Sequence, residues 1–189
     1  KIRAEHELAI VEMGINHFGE MHNLSEIAKP DYCLFTNIGQ SHLENLGSRE
    51  GILKAKSEIF DFMNEEGRVI LNGDDDMLST IKKVKGKFPI RYGLDLGNDV
   101  YGDNIISNGL LGSSLDIHIN NTSLHLDIPM PGNHMILNAL AAASVGSLLA
   151  LTDSEIIDGI EKVRPLKGRN NIINHDKWTI IDDSYNANP

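Results

Sequence analysis

The chain has 189 residues and carries 17 Lys and Arg residues against 27 Asp and Glu residues, which gives a formal net charge of −10. This length suits one domain with a substantial hydrophobic core, and a composition of 41% hydrophobic and 23% charged residues is that of a folded globular protein. The acidic balance argues against sequence-independent binding of nucleic acid, which requires a basic surface.

No apolar run reaches the ~18 residues that a membrane span requires, so no membrane association is expected. The single cysteine, Cys33, excludes a disulfide framework and fits a reducing compartment. We therefore expect a cytoplasmic protein that acts on small molecules.

Three short apolar runs predict strands of a parallel sheet. They are Leu8–Met13, Tyr32–Thr36 and Arg68–Leu71. Each is about as long as a strand and almost wholly apolar, as expected of strands that are buried on both faces. Helices are predicted between the runs, one over Arg49–Met63 with Ser48 as its N-cap and another over Asp75–Val84. This alternation indicates an α/β fold with a doubly wound, mostly parallel sheet flanked by helices.

From about residue 89 to residue 131 the hydrophobic pattern changes to strict alternation. Ser114–Asn120 and Ser123–Ile128 alternate apolar and polar residues, and Asn120-Asn121 stands at the turn between them. This pattern is typical of a half-exposed antiparallel hairpin. We therefore expect a small antiparallel β subdomain laid on the main sheet.

The last third of the chain predicts two helices and a strand. Met135–Ala150 is rich in Ala and Leu and is expected to form an almost fully buried helix. Thr152 and Glu155 have the spacing of a capping box that opens a helix to about Val163. Trp178–Asp182 predicts a last buried strand. Because the chain stops soon after this strand, we expect it to be a piece of a longer protein.

Lys56 interrupts the apolar stripe of the helix predicted over Arg49–Met63. The apolar residues of that stripe are Ile52, Ile59, Phe60 and Met63. Lys56 lies one turn after the first of them, in the middle of the stripe. A lysine on a buried face loses hydration, so its pKa falls and the neutral amine becomes accessible. A neutral amine reacts with carbon dioxide to give a carbamate, which is an anion. The spacing leaves open the alternative that Lys56 buries its methylenes and points its ammonium at water.

A carboxylate and an imidazole are predicted at one edge of the sheet. Glu12 ends the first predicted strand, and His42 follows the turn after the second. Ligand sites of open α/β sheets gather at the carboxyl ends of the strands, so Glu12, His42 and a carbamate on Lys56 are able to converge on one metal ion. Oxygen-dominated ligation favours magnesium or manganese over zinc. Taken singly, each of the three residues also has a plain structural interpretation.

Two later stretches have the residue types of nucleotide contacts. His134 opens the Ala-rich helix, and Asn138, predicted to face inward, has an amide that matches an adenine edge or, alternatively, bonds to backbone. Arg169 and Asp183 bracket the last predicted strand, where Arg169 is suited to a phosphate and Asp183 to a ribose hydroxyl.

The acidic run Asp74-Asp75-Asp76 has a structural and a metal-binding interpretation. It follows Asn72-Gly73 and precedes a predicted helix, where acids are favoured by the helix dipole, so we interpret the run as structural. The chain contains no G-x-x-x-x-G-K-[ST] sequence to cradle the phosphates of ATP, no G-x-S-x-G and no H-E-x-x-H.

Five segments, in order along nearly the whole chain, carry a specific combination of motifs. They are Glu12–Glu20, Thr36–Ser48, Gly51–Phe60, Gly132–Ala142 and Ile181–Pro189. Together they resemble the central domain of the Mur ligases, the ATP-dependent amide-forming enzymes of peptidoglycan synthesis, which has a P-loop-NTPase-like fold. The Ser41-His42-Leu43-Glu44 sequence is most similar to that of the last-acting member of the family.

The resemblance implies a set of metal ligands. Glu12, His42 and a carbamylated Lys56 would hold Mg²⁺, and Lys56, His42 and Arg169 would be catalytic.

The resemblance also implies that ATP is the nucleotide. His134 and Asn138 would contact it, with Asn138 at the adenine, Arg169 at a phosphate and Asp183 at the ribose.

The reaction that the resemblance implies joins D-Ala-D-Ala to UDP-MurNAc-tripeptide through an acyl phosphate, in a monomeric enzyme. Residues 1–189 would be its central domain, with the β subdomain at about 89–131. The P-loop, the domain that holds the UDP substrate and the C-terminal ligase domain are expected outside the chain, so the chain alone is expected to be inactive. The alternatives are another Mur-type or folylpolyglutamate synthetase-like ligase, or a non-catalytic homologous domain.

Overall fold

Six strands form one mixed sheet and two more form a separate ribbon in the computed structural model, which describes residues 2–185. The strands of the sheet are β1 (Tyr32–Phe35), β2 (Arg68–Asn72), β3 (Ile90–Gly93), β4 (Val100–Ser107), β5 (Ser113–Ile119) and β6 (Thr122–Ile128). The strands of the ribbon are β7 (Asn171–His175) and β8 (Trp178–Asp182). The helices of the described residues are α1 (Glu20–Ala28), α2 (Leu43–Leu46), α3 (Arg49–Ser57), α4 (Asn133–Leu148) and α5 (Asp153–Glu161). The end of the Ile181–Pro189 motif, residues 186–189, lies outside the described part of the chain.

The six strands lie side by side in chain order, and the sheet changes from parallel to antiparallel at β4. Strands β1 to β4 pair in parallel, and β4, β5 and β6 pair antiparallel. This arrangement confirms the predicted α/β fold with a mostly parallel sheet and an antiparallel part. The hairpin, however, continues the sheet at its edge and is not laid on it, because β5 completes the hydrogen-bond ladder along β4. Its turn residues Asn120 and Asn121 have φ values of 49° and 64°, as a two-residue hairpin turn requires.

Two hydrophobic cores lie on opposite faces of the sheet. Val69 and Leu71 of β2 belong to the core that α1 and α3 cover. Ile70, between them, belongs to the core that α4 and α5 cover. Helices on both faces explain why the parallel strands read as continuous apolar runs. Cys33 of β1 is 2% exposed, and burial raises the pKa of its thiol to about 12.

The prediction of a strand at Leu8–Met13 is wrong. Among the described residues this segment pairs with no strand, and Leu8, Ile10 and Val11 are 50%, 86% and 60% exposed. An apolar run becomes a strand only where a neighbour completes its hydrogen bonds, and β1 pairs only with β2 within residues 2–185.

The strand predicted at Trp178–Asp182 is confirmed as β8, but the prediction that it is buried is wrong. β8 pairs only with β7 within the described residues, and Trp178 and Ile181 are 50% and 52% exposed. A two-stranded ribbon has no second layer to cover its apolar side chains.

The helix predicted over Asp75–Val84 is reduced to one 3₁₀ turn, Leu78–Thr80. The hydroxyl groups of Ser79 and Thr80 donate hydrogen bonds to nearby backbone carbonyls. Polar side chains that bond to their own backbone in this way compete with helix formation.

The remaining helix predictions are close to the structure. The helix predicted over Arg49–Met63 ends at Ser57 and continues as a 3₁₀ turn, Glu58–Phe60. The predicted Ser48 cap and the capping box of Thr152 with Glu155 are both confirmed. The Ala-rich helix is confirmed as α4, and it is buried or half-buried apart from four exposed residues, Asn133, His134, Asn138 and Ala142. No described helix is long and apolar enough to cross a membrane.

Replacement of Leu140, which is fully buried in the core under α4, tests the packing. We expect Leu140→Ala to lower the free energy of unfolding by roughly 2–5 kcal/mol, because the substitution removes buried methyl groups and leaves a cavity. Urea unfolding followed by circular dichroism measures the change. Leu111→Ala is the matched control, since Leu111 is 80% exposed and its truncation is expected to change stability by no more than about 0.5 kcal/mol. Equal losses in the two variants would contradict this packing.

Candidate functional site

The loop Thr36–Gly39, which follows β1, is held by three side chains from other parts of the chain. The amide of Asn72, at the end of β2, donates to the Thr36 carbonyl at 3.0 Å. The Asp75 carboxylate accepts the N–H of Ile38 at 2.9 Å. The Arg49 guanidinium, at the start of α3, donates to the Ile38 carbonyl from Nε at 3.1 Å and from Nη2 at 2.9 Å. The backbone of this loop is therefore fixed at the carboxyl end of the parallel sheet.

The three acids of the run Asp74-Asp75-Asp76 each hold a different group. Asp74 accepts the N–H groups of Leu94 at 2.5 Å and Asp95 at 3.2 Å, in the loop after β3. The Asp75 carboxylate also accepts the N–H groups of residues 77 and 78, where the 3₁₀ turn begins. These contacts support the structural interpretation of the run, but they tie loops together and do not cap a long helix.

Asp76 pairs with Arg49 through two hydrogen bonds of 2.7 and 2.5 Å. The hydrogen bond from Arg49 holds the pKa of the Asp76 carboxyl below its usual value. Arg49 thus bridges Asp76 and the carbonyl of Ile38.

Lys56 lies in the last turn of α3 and is half-buried, with its amine directed at the same loop. Its Nζ atom is 3.5 Å from the carbonyl oxygen of Asn37. Burial lowers the pKa of Lys56 below the ordinary value, and the charges of Asp75 and Glu12 oppose this shift. The neutral amine is therefore more accessible here than in an exposed lysine.

Glu12 and His42 lie on two segments outside the strands of the sheet, and both residues are exposed. Glu12 is close enough to Lys56 for its charge to act on the lysine pKa. His42 precedes α2 in a left-handed conformation with a φ of 66°, and its side chain makes no hydrogen bond to a described residue. Within residues 2–185 no three His, Cys, Asp or Glu side chains form a group that could hold a metal ion. Of the three predicted ligands, Glu12 and Lys56 are related by the charge of Glu12, and a carboxylate supplies the kind of oxygen ligand that magnesium prefers.

His134 and Asn138 lie on the first two turns of α4. The His134 ring packs over Gly132, where a Cβ atom would lie 2.5 Å from its Cε1, and Gly132 has a φ of 110°. Asn138 is exposed and its amide contacts the sulfur of Met135 at 3.6 Å, so the prediction that it faces inward is wrong. An exposed amide at this position is open to a ligand.

Arg169 and Asp183 lie together at one end of the β7–β8 ribbon. The guanidinium carbon of Arg169 is 4.2 Å from the centre of the Tyr185 ring. The Asp183 carboxylate accepts the N–H of Asn170 at 3.2 Å. The structure thus brings this pair together, as it does Glu12 and Lys56. Among residues 2–185, no hydrogen bond or ion pair connects Glu12 or Lys56 to Arg169 or Asp183. None connects these four residues to His134 or Asn138.

Sequence reasoning missed Arg49 and Asn72. Arg49 stands in the first turn of a helix, where a cation is unfavourable to the helix dipole, and this misplacement was a usable signal. Asn72 continues an apolar run and is 5% exposed, so a buried amide at a strand end was the second signal.

The parallel strands of this α/β domain end beside a loop that hydrogen bonds fix and a half-buried lysine. Ligand sites of open α/β sheets lie at this edge, which we call the ligand edge. Residues 1–146 match the Mur ligase middle domain family, and the chain belongs to that family.

Three relatives extend this similarity over nearly the whole chain. UDP-N-acetylmuramoyl-tripeptide–D-alanyl-D-alanine ligase of Bacillus subtilis is 36% identical over 185 residues, which cover 97% of this chain and 39% of the relative. MurF from Acinetobacter baumannii is 33% identical with a TM-score of 0.90, over 99% of this chain and 41% of that one. MurF of Thermotoga maritima, solved in complex with ADP, is 25% identical with a TM-score of 0.77, over 91% and 39%. The chain spans about two fifths of the length of these relatives.

The half-buried position of Lys56 predicts a pH-dependent stability effect. Because the folded-state pKa is lowered, the charged amine destabilises the fold below that pKa, and this cost is relieved as the pH rises towards the ordinary value of 10.5. We expect Lys56→Met to raise the midpoint of urea unfolding at pH 7, and the gain to shrink near pH 10.5.

Lys54→Met is the control for this comparison, because Lys54 is exposed on the same helix. The measurements are made in buffer free of carbon dioxide, so that the amine is unmodified. A gain for Lys56→Met that is no larger than that for Lys54→Met would refute the cost assigned to Lys56.

Proposed function

We propose that this chain is the middle domain of an ATP-dependent ligase that joins D-Ala-D-Ala to UDP-MurNAc-tripeptide in peptidoglycan synthesis. The observation that carries the proposal is the half-buried amine of Lys56, held beside a fixed loop at the ligand edge of the sheet with Glu12 nearby. The similarity to the ligase of Bacillus subtilis, over 97% of this chain, supports the choice of reaction.

Lys56 is proposed to act as a carbamate. The neutral amine nitrogen forms a bond to the carbon of carbon dioxide, one proton leaves to solvent, and the product carries a two-oxygen anion in place of a cation. The lowered pKa favours the neutral amine that this step requires. Carbamylation converts a side chain that repels a metal ion into one that binds it.

The carbamate of Lys56, the carboxylate of Glu12 and the imidazole of His42 are proposed to hold Mg²⁺. When bound, Mg²⁺ offsets negative charge on the phosphate groups. The chain contributes a carboxylate and an imidazole on two exposed segments, and it fixes the loop against which the Lys56 amine lies.

The nucleotide is proposed to be ATP, which His134 and Asn138 contact from the first turns of α4. Both side chains are exposed there, as a ligand-facing surface requires. Arg169 is proposed to contact a phosphate and Asp183 a ribose hydroxyl. Binding of ADP by the Thermotoga maritima relative supports a nucleotide of this class.

In the proposed reaction the terminal carboxylate of the tripeptide attacks the γ-phosphorus of ATP, ADP leaves, and an acyl phosphate forms. The amine of D-Ala-D-Ala then attacks the acyl carbon, and phosphate leaves as the amide forms. Arg169 is the cation of this chain that would offset charge on the transferred phosphoryl group, since such transfer depends mainly on positioning and electrostatics.

Residues 1–189 alone are proposed to be catalytically silent. The chain has no G-x-x-x-x-G-K-[ST] sequence, so it lacks the loop that cradles the β- and γ-phosphates in P-loop enzymes. The isolated chain is therefore the negative control for the experiment that follows.

Phosphate release by the full-length protein tests the proposed function. The assay contains ATP, magnesium and UDP-MurNAc-tripeptide, with and without D-Ala-D-Ala. We expect release that requires the dipeptide and is not supported by D-glutamate or diaminopimelate. Release with one of those amino acids would assign a sister ligase, and no release with any acceptor would indicate a non-catalytic homologue.

Replacement of Lys56 tests the carbamate. Lys56→Ala in the full-length protein is expected to abolish dipeptide-dependent phosphate release, because the anionic metal ligand is lost. Formate is expected to restore part of the activity, since a small carboxylate supplies the missing oxygens. Lys54→Ala is the matched control and should retain normal turnover; normal turnover of Lys56→Ala would exclude the carbamate.

A further inference from the structure

We propose that Asp75, Arg49 and Asn72 are positioning residues for Lys56 and act through the loop Thr36–Gly39. This inference rests on the proposed function, because it assigns these side chains the task of setting where the Lys56 nitrogen lies. None of the three is among the proposed metal or nucleotide ligands.

The only hydrogen bond of the Lys56 amine to a described residue is to the carbonyl of Asn37. Asn37 itself is held from both sides. On one side the Thr36 carbonyl accepts from Asn72, and on the other the N–H of Ile38 donates to Asp75. The acceptor of the lysine is thus fixed by bonds to its two neighbours in the chain.

Two further contacts limit the movement of the loop. The Tyr92 hydroxyl donates to the Phe35 carbonyl at 3.1 Å in the buried interior, directly before the loop begins. The Arg49 guanidinium donates two hydrogen bonds to the Ile38 carbonyl and two to the Asp76 carboxylate. A planar guanidinium makes both sets of bonds at once, which a lysine at the same position could not do.

The run Asp74-Asp75-Asp76 offers a matched comparison of positioning with general stability. Asp74 and Asp75 are neighbours, and the carboxylate of each accepts hydrogen bonds from three donors of the described residues. Only Asp75 bonds to the loop that contacts Lys56, whereas Asp74 serves the loop after β3. A purely structural role predicts similar effects for the two, and a positioning role predicts different ones.

Asn substitutions separate the two roles with little change in volume. In Asp75→Asn the remaining oxygen is able to accept the N–H groups of residues 77 and 78, but the new amide nitrogen cannot accept the N–H of Ile38. Asp74→Asn makes the same chemical change on the other loop. Both variants are prepared in the full-length protein.

Two readouts are compared. The first is the rate of Lys56 acetylation by acetic anhydride, measured by mass spectrometry relative to exposed Lys54 in the same molecule. The second is the magnesium concentration for half-maximal phosphate release, compared with the maximal rate. Loss of a residue that orients a metal ligand typically costs 10-fold to 100-fold in metal affinity.

We expect Asp75→Asn to change the Lys56 to Lys54 acetylation ratio several-fold and to raise the magnesium requirement about 10-fold. Asp74→Asn is expected to leave both quantities near those of the unaltered protein. Equal behaviour of the two variants, or an unchanged acetylation ratio in Asp75→Asn, would overturn the proposal.

Arg49→Lys keeps the proposal testable if Asp75→Asn fails to fold. It also separates positioning from charge, because the charge of Asp75 acts on the Lys56 amine, whereas Arg49→Lys leaves Asp75 and a cation in place and loses the paired hydrogen bonds to the Ile38 carbonyl. The same two changes are expected in Arg49→Lys, and changes seen in Asp75→Asn alone would be effects of charge and would overturn the proposal. If the unaltered protein shows no ligase activity, the proposed function fails. The acetylation ratio still decides whether Asp75 and Arg49 position Lys56, because it does not depend on turnover.

Discussion

Strand β2 connects the two hydrophobic cores to the polar edge of the sheet. Val69 and Leu71 fill one core and Ile70 fills the other, and all three are at most 3% exposed. Side chains of a strand alternate between faces, so a shift of one residue in register would exchange the two cores. The packing therefore fixes the register, and the register places Asn72 where it reaches the Thr36 carbonyl.

At the polar edge of the sheet the loop backbone has its hydrogen-bond partners, whereas the burial of one lysine side chain is energetically unfavourable. The loop Thr36–Gly39 is held by neutral and charge-assisted hydrogen bonds, while Lys56 is half-buried at a cost that its lowered pKa records. Costs of this kind concentrate at functional sites and are offset by the surrounding packing. The two hydrophobic cores supply that support here, and the polar loop determines where the lysine points.

Local patterns predicted the parts of the structure that depend on neighbouring residues. Alternation predicted the hairpin around Asn120, and side-chain oxygens at fixed offsets predicted the caps at Ser48 and Thr152. The two wrong strand predictions involve long-range pairing, since neither the exposure of Leu8–Met13 nor that of β8 can be read from apolar composition. The helix predicted over Asp75–Val84 is wrong for a local reason, the hydroxyl groups that bond to the nearby backbone. For the site, an interrupted apolar stripe indicated Lys56, but the bonds of Arg49 and Asp75 to the Ile38 backbone connect segments far apart in sequence.

The function proposed for this site depends on a carbamate on the amine of Lys56. Carbon-13 NMR of the full-length protein, equilibrated with ¹³C-labelled bicarbonate at pH 8, tests this claim without any need for turnover. We predict a carbamate carbon resonance that is absent in Lys56→Arg and present in Lys54→Arg. A spectrum without this resonance under conditions in which the enzyme is active, or one that Lys56→Arg leaves unchanged, would contradict the assignment.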